Sequence, residues 1–172
     1  LVYYRGEYHL FYQHNPADTV WGPMHWGHAV SRDLVNWEHL PIALSPDEHG
    51  MIFSGSAVVD WRNSAGFGAE ALVAVYTSAQ DDRQSQSVAY SLDKGRTWTS
   101  YAGNPVVPPP NGIRDFRDPK VFWYGDVASG HWVMAVAAGN AILFFTSPDL
   151  LHWVAASGFG FGCGSSQGVW ET

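Results

Sequence analysis

The sequence predicts an all-β protein of propeller type, and three observations carry that reading. A serine, an aspartate two places on and then a tryptophan follow a strand-forming run three times, at Ser31-Arg32-Asp33 to Trp37, Ser91-Leu92-Asp93 to Trp98 and Ser147-Pro148-Asp149 to Trp153. Their spacing, roughly 60 residues, is that of a propeller or another repeat array. Two further strand-like runs precede each copy, and no stretch combines helical periodicity with caps. The composition agrees, with 15% aromatic residues, nine Trp and eighteen Gly in 172 residues.

Each unit reads as a four-stranded meander. In the first, Leu1 to Tyr4 and Tyr8 to Tyr12 flank the turn Arg5-Gly6-Glu7, a third strand ends at Ser31 and a fourth opens at Trp37. In the second, Ile52 to Asp60 and Ala71 to Thr77 precede the strand ending at Ser91, and in the third Lys120 to Tyr124 and His131 to Val136 precede Ser147. The turn residues have a mechanism: Ser and Asp side chains accept nearby backbone N–H groups, and the Trp folds back over the reversal. Gly95 in the second copy supplies positive φ. The units run about 1–44, 51–100 and 116–157, with another starting at 165–172. Three blades and the start of a fourth do not close a ring, so the chain reads as a fragment of one larger propeller domain.

Charge and motifs exclude several function classes. A net charge of −7, with nine Lys and Arg scattered singly, suits neither nucleic acid nor an anionic membrane. No apolar run reaches the roughly 18 residues of a membrane span. Cys163 is the single cysteine, without a partner for a disulfide or an activating base arrangement, and it leaves the compartment open. His25 and His28, three apart on a strand, point to opposite faces and are not expected to share a metal. The run Gly158 to Gly164 lacks the features of a phosphate loop and reads as a flexible connection to the next unit.

The chemistry is expected on the innermost strand of each blade, which faces the central channel. Inner strands start at Ile52-Phe53-Ser54-Gly55-Ser56, Phe116-Arg117-Asp118-Pro119-Lys120 and Gly168-Val169-Trp170-Glu171-Thr172. Asp118 and Glu171 thus stand beside aromatic residues at comparable places in neighbouring units. Two facing carboxylates in an aromatic pocket are the equipment of glycoside hydrolysis.

Leu1 to Leu44 carries His9-Leu10-Phe11-Tyr12-Gln13-His14-Asn15-Pro16, Trp21-Gly22, and His25-Trp26-Gly27-His28-Ala29-Val30-Ser31 with Asp33-Leu34, Trp37 and Leu40-Pro41. Together with Phe53-Ser54-Gly55-Ser56, Arg117-Asp118-Pro119 and Trp170-Glu171, these closely resemble the invertases, inulinases and levanases, glycoside hydrolase family 32. The resemblance implies a five-bladed propeller that cleaves β-fructofuranosides with retention. It implies that Glu171 is the acid/base, and such a role needs a carboxyl raised towards neutrality. It likewise implies that Asp118 stabilises the transition state by gripping fructose hydroxyls, with Arg117 beside it keeping that carboxylate ionised. Gln13, Trp21, Phe53 and Ser54 match residues lining the fructose pocket.

The same resemblance places the nucleophilic aspartate, in an Asn-Asp-Pro-Asn-Gly segment, immediately before Leu1, so this polypeptide alone is expected to be inactive. Thr172 stands where many relatives carry cysteine. The implied partner is a small carbohydrate, sucrose or a fructan, no cofactor is implied, and the resemblance leans towards secretion over the cytoplasm. A fructosyltransferase of the same family, an arabinan-cleaving or sialidase-like propeller and a non-catalytic sugar-binding relative remain alternatives. The Ser91 to Trp98 turn is of the kind sialidases repeat, but the seven Arg are not gathered at blade starts.

Overall fold

A computed structural model describes residues 1–160. Those residues form twelve strands and no helix: β1 (Val2–Tyr4), β2 (Glu7–His14), β3 (His25–Ser31), β4 (Glu38–Leu44), β5 (Met51–Asp60), β6 (Ala71–Gln80), β7 (Arg83–Ser91), β8 (Thr99–Ser100), β9 (Phe116–Tyr124), β10 (His131–Ala138), β11 (Ala141–Ser147) and β12 (Val154–Gly160). They pair as three four-stranded antiparallel meanders, β1 to β4, β5 to β8 and β9 to β12. The first strands of successive sheets lie side by side, β5 against both β1 and β9. The predicted architecture of radially stacked sheets is therefore present.

The repeated turn has the anticipated chemistry. Ser31 Oγ accepts the N–H of Leu34 at 2.8 Å, Asp33 Oδ1 accepts those of Val35 and Asn36 at 2.9 and 2.8 Å, and Trp37 Nε1 donates back to Leu34 O at 3.1 Å. Ser147, Asp149 and Trp153 repeat the pattern with Leu150, Leu151 and His152. In the middle copy Gly95 N donates to Ser91 Oγ and Trp98 Nε1 to Gly95 O. Lys94 and Gly95 adopt positive φ there, whereas Leu34 and Leu150 take the left-handed conformation in the other two copies. A branched side chain is costly in that region, so the Ser and Asp hydrogen bonds hold strained backbone as well as a reversal.

One expectation is corrected. Gly158, Phe159 and Gly160 are not connection but the end of β12, paired with Leu143, Ile142 and Ala141. The third unit therefore extends to Gly160 rather than ending near 157. A partner strand that supplies a full ladder outweighs the low strand preference of glycine. Residues 161–164 of the glycine-rich run, with Cys163, and the fourth unit at 165–172 lie outside the described residues.

The apolar core lies between the sheets. β6 is buried along nearly its whole length, and since alternate residues face opposite ways it serves two interfaces. Val73 and Val75 join Phe116, Val121, Trp132, Met134 and Val136 against the third sheet. Ala74 and Tyr76 join Trp26, Leu44 and Ile52 against the first. Polar bonds fix the same seams: Val121 N donates to Ser56 Oγ at 2.9 Å and Trp132 Nε1 to Ser64 Oγ at 2.9 Å.

A candidate active site at the inner strands

Gln13, Trp21, Phe53, Ser54, Arg117 and Asp118 line one hollow of about 330 Å³. These are all the site residues expected from the sequence that fall among those described; Glu171, with Trp170 beside it, lies outside them. Gln13 comes from the end of β2, Trp21 from the loop before β3, Phe53 and Ser54 from β5, and Arg117 and Asp118 from β9. Three sheets thus contribute to one wall.

Irregularities in two inner strands aim these side chains. β5 loses its regular pairing with β6 between Ile52 and Gly55, the stretch that holds Phe53 and Ser54. The main-chain groups released there are taken up by the first sheet. Gln13 Nε2 donates to Ile52 O at 3.0 Å and Trp26 Nε1 to Phe53 O at 2.9 Å. Trp21 then packs edge-on against the Phe53 ring, centroids 5.5 Å apart. Gly55, next in line, has Val75 O only 2.2 Å from where a Cβ would stand, so the bulge closes only with glycine at this place.

β9 breaks its pairing with β10 between Arg117 and Lys120, and Asp118 stands within this bulge at φ 62. Bulges of this kind re-aim side chains beside active sites, and aspartate tolerates the left-handed region better than most residues. Its carboxylate is exposed to the hollow, while its N–H donates to Thr77 Oγ1 at 3.1 Å. Arg117 departs from the expected pairing: its guanidinium engages Asp115 at 2.5 Å and Gln84 at 3.3 Å, with no hydrogen bond to Asp118.

The aromatic residues divide sharply. Trp21 is 67% exposed, whereas Trp26 is 3% exposed and belongs to the core. Trp26 nevertheless shapes the site through Phe53 O, a role that sequence reading missed. Thr77 and Gln86 were also passed over. The available signal was a polar residue within an otherwise apolar strand, since Thr77 follows Ala71 to Tyr76 directly.

His9 Nδ1 and His28 Nε2 stand 3.1 Å apart, both rings fully buried between the first two sheets, while His25 Nδ1 meets Pro23 O. Burial, followed by the neighbouring His9, lowers His28 from 6.5 to about 4. Burial lowers His9 too. A larger hollow of about 410 Å³ beside the first turn is lined by Glu7, Asp33 and Glu38 among others. Two of these three acids are already engaged: Glu7 pairs with Arg96, and the backbone and side chain of Asn36 hold Asp33 well below the usual carboxylate range.

Comparison with known proteins shows the family and the fold. The family model "Glycosyl hydrolases family 32 N-terminal domain" matches residues 1–172. The chain is 63% identical to a levanase of Bacillus subtilis, over 99% of its own length and 25% of that protein. It is 43% identical to an extracellular exo-inulinase of Aspergillus awamori, over 99% of its length and 37% of the relative. The crystal structure of exo-inulinase from Aspergillus awamori superposes with a TM-score of 0.84 at 42% identity, covering 93% of this chain and 36% of that one. Fructofuranosidase from Schwanniomyces occidentalis complexed with fructose gives 0.83 at 43% identity, covering 90% and 32%. The chain thus spans about a quarter to just over a third of the length of these relatives, and it belongs to glycosyl hydrolase family 32, matching the N-terminal domain of that family.

Proposed function

We propose that this chain forms part of the catalytic propeller of a β-fructofuranosidase acting on sucrose, inulin or levan, and that its hollow receives the fructosyl unit. The observation that carries the reading is the convergence of Gln13, Trp21, Phe53, Ser54, Arg117 and Asp118 from three sheets on one cavity. A pocket with an aromatic wall and a few convergent polar groups suits a small polar ring. The relatives are a levanase and exo-inulinases, and one solved neighbour holds fructose. The units 1–44, 51–100 and 116–160 are read as successive blades of a five-bladed ring, with the next beginning at 165–172.

The mechanism proposed is double displacement. Asp118, the one carboxylate among the described residues lining this hollow, grips sugar hydroxyls and steadies the oxocarbenium-like transition state. Glu171 protonates the departing oxygen and then activates water. The attacking carboxylate belongs to the segment that the family places before Leu1, and retention requires it about 5 to 5.5 Å from the acid/base. No cofactor enters these steps, and neither nucleic acid nor membrane is a proposed partner.

The test is hydrolysis of sucrose, inulin, levan, arabinan and a sialoside by the chain extended to the full length of its relatives. Release of fructose from the first three supports the reading, and activity confined to arabinan or the sialoside contradicts it. Oligosaccharide products at high sucrose would identify a transferase instead. A folded, sugar-binding but inactive protein would identify a non-catalytic relative.

A further inference from the structure

We infer that Thr77 and Gln86 are positioning residues that set the Asp118 carboxylate in the hollow by gripping the backbone on both sides of Arg117. The inference rests on the proposed fructofuranosidase reading. The bulge in β9 removes Asp118 from regular pairing with β10 and leaves its N–H to find another acceptor. That acceptor is Thr77 Oγ1, on β6 of the neighbouring sheet, at 3.1 Å. The Thr77 hydroxyl in turn donates to Gln86 Oε1 at 2.9 Å, and Gln86 Nε2 donates to Phe116 O at 2.8 Å. The circuit therefore holds the peptide groups before and after Arg117.

Its members are firmly anchored. Thr77 and Gln86 are both 0% exposed and face each other across the β6–β7 ladder. Gln86 N donates to Val107 O at 2.8 Å, and Gln86 O accepts from Val106 N at 2.9 Å. The second sheet, which also carries Phe53 and Ser54, thereby fixes where the third sheet presents Asp118. Buried hydrogen-bonded polar networks of this kind specify one arrangement. The Asp118 conformation at φ 62 is the arrangement specified here, and it turns the carboxylate towards the same cavity as Phe53 and Ser54.

The experiment uses the chain extended to the full length of its relatives, assayed on sucrose well below its melting temperature. Thr77→Val keeps the side-chain volume but removes both hydrogen-bonding functions. It is expected to lower kcat about 10- to 100-fold with KM changed less than about threefold, as a displaced reacting group does. Thr77→Ser is expected to restore the rate. In an Asp118→Asn background Thr77→Val should cost less than about twofold more, because residues acting through one another are not additive.

A merely structural Thr77 would lower the melting temperature and leave kcat within about twofold, and that result overturns the inference. Equal losses from Thr77→Val in both backgrounds overturn it as well. Should Thr77→Val fail to fold, Gln86→Met, which removes the donor to Phe116 O, is read by the same criteria. A full-length parent that folds but releases no fructose overturns the underlying functional reading instead, so the two failures are distinct.

Discussion

Trp26 buries its ring between the first two sheets and donates its indole N–H to the carbonyl of Phe53, 2.9 Å away. A residue of the core thereby holds open the irregular stretch of β5 from which Phe53 faces the hollow. Trp21, by contrast, is exposed and packs edge-on against the Phe53 ring. The two tryptophans should therefore fail in different ways. Trp26→Phe is expected to cost about 1–3 kcal/mol, because it shrinks a buried ring and leaves the half-buried Phe53 carbonyl without its donor. Trp21→Ala should leave stability within about 0.5 kcal/mol, as exposed substitutions do, while raising KM for sucrose. Denaturant unfolding and steady-state kinetics on the full-length chain check both.

Asp118→Asn preserves shape, and asparagine also accepts the left-handed backbone that this position adopts. Thermal stability should hardly change. Turnover should fall by about 10²- to 10³-fold if the carboxylate stabilises developing positive charge, a loss of the size seen when one preorganised electrostatic partner is removed. Loss of stability with near-normal turnover would mark Asp118 as structural.

The buried pair His9 and His28 predicts acid lability with a definite window. Burial lowers His9 from its ordinary 6.5, and burial with the neighbouring His9 brings His28 to about 4. The unfolded chain therefore takes up protons that the folded chain refuses, and stability should be complete above pH 6.5 and fall as pH drops towards 4. Glu7, 4.0 Å from His9 Nε2, opposes the trend, and Arg96 reinforces it. Unfolding midpoints between pH 4 and 7 should slope downward with acid in the parent. In His28→Gln they should be flatter, and an unchanged slope would remove the pair from the explanation.

The left-handed leucines give a contrast decided by burial. Leu34 has φ 65 and is 46% exposed, while Leu150 has φ 68 and is 0% exposed. Relief of left-handed strain is worth about 1–2 kcal/mol, against about 0.5–1 kcal/mol for the extra freedom of an unfolded glycine. Leu34→Gly should therefore be neutral or stabilising by about 1 kcal/mol. Leu150→Gly also forfeits a buried side chain, about 2–5 kcal/mol, and should destabilise on balance. Chemical denaturation of the two variants separates the terms.

The sequence made legible what is local. Ser31, Ser91 and Ser147 satisfy N–H groups within four residues of themselves, so their turns can be read without knowing the rest of the chain. Motif resemblance also gathered Gln13, Trp21, Phe53, Ser54, Arg117 and Asp118, because side chains that share a hollow leave short signatures at each strand. What stayed hidden depends on distant partners. Nothing beside Asp118 announces its positive φ, which Thr77 supports from another sheet. Arg117 gives no local sign that Asp115 rather than Asp118 takes its guanidinium. Gly158 to Gly160 look like connection until β11 supplies their ladder. Trp21 and Trp26 are the same residue five places apart, and only the packing of the second sheet sends one to the core.

The most direct test is a crystal structure of the full-length Asp118→Asn variant soaked with sucrose. The fructosyl ring should occupy the hollow between Trp21 and Phe53, with its hydroxyls against Gln13 and position 118. A ring bound at another face while this hollow stays empty would contradict the assignment of the site.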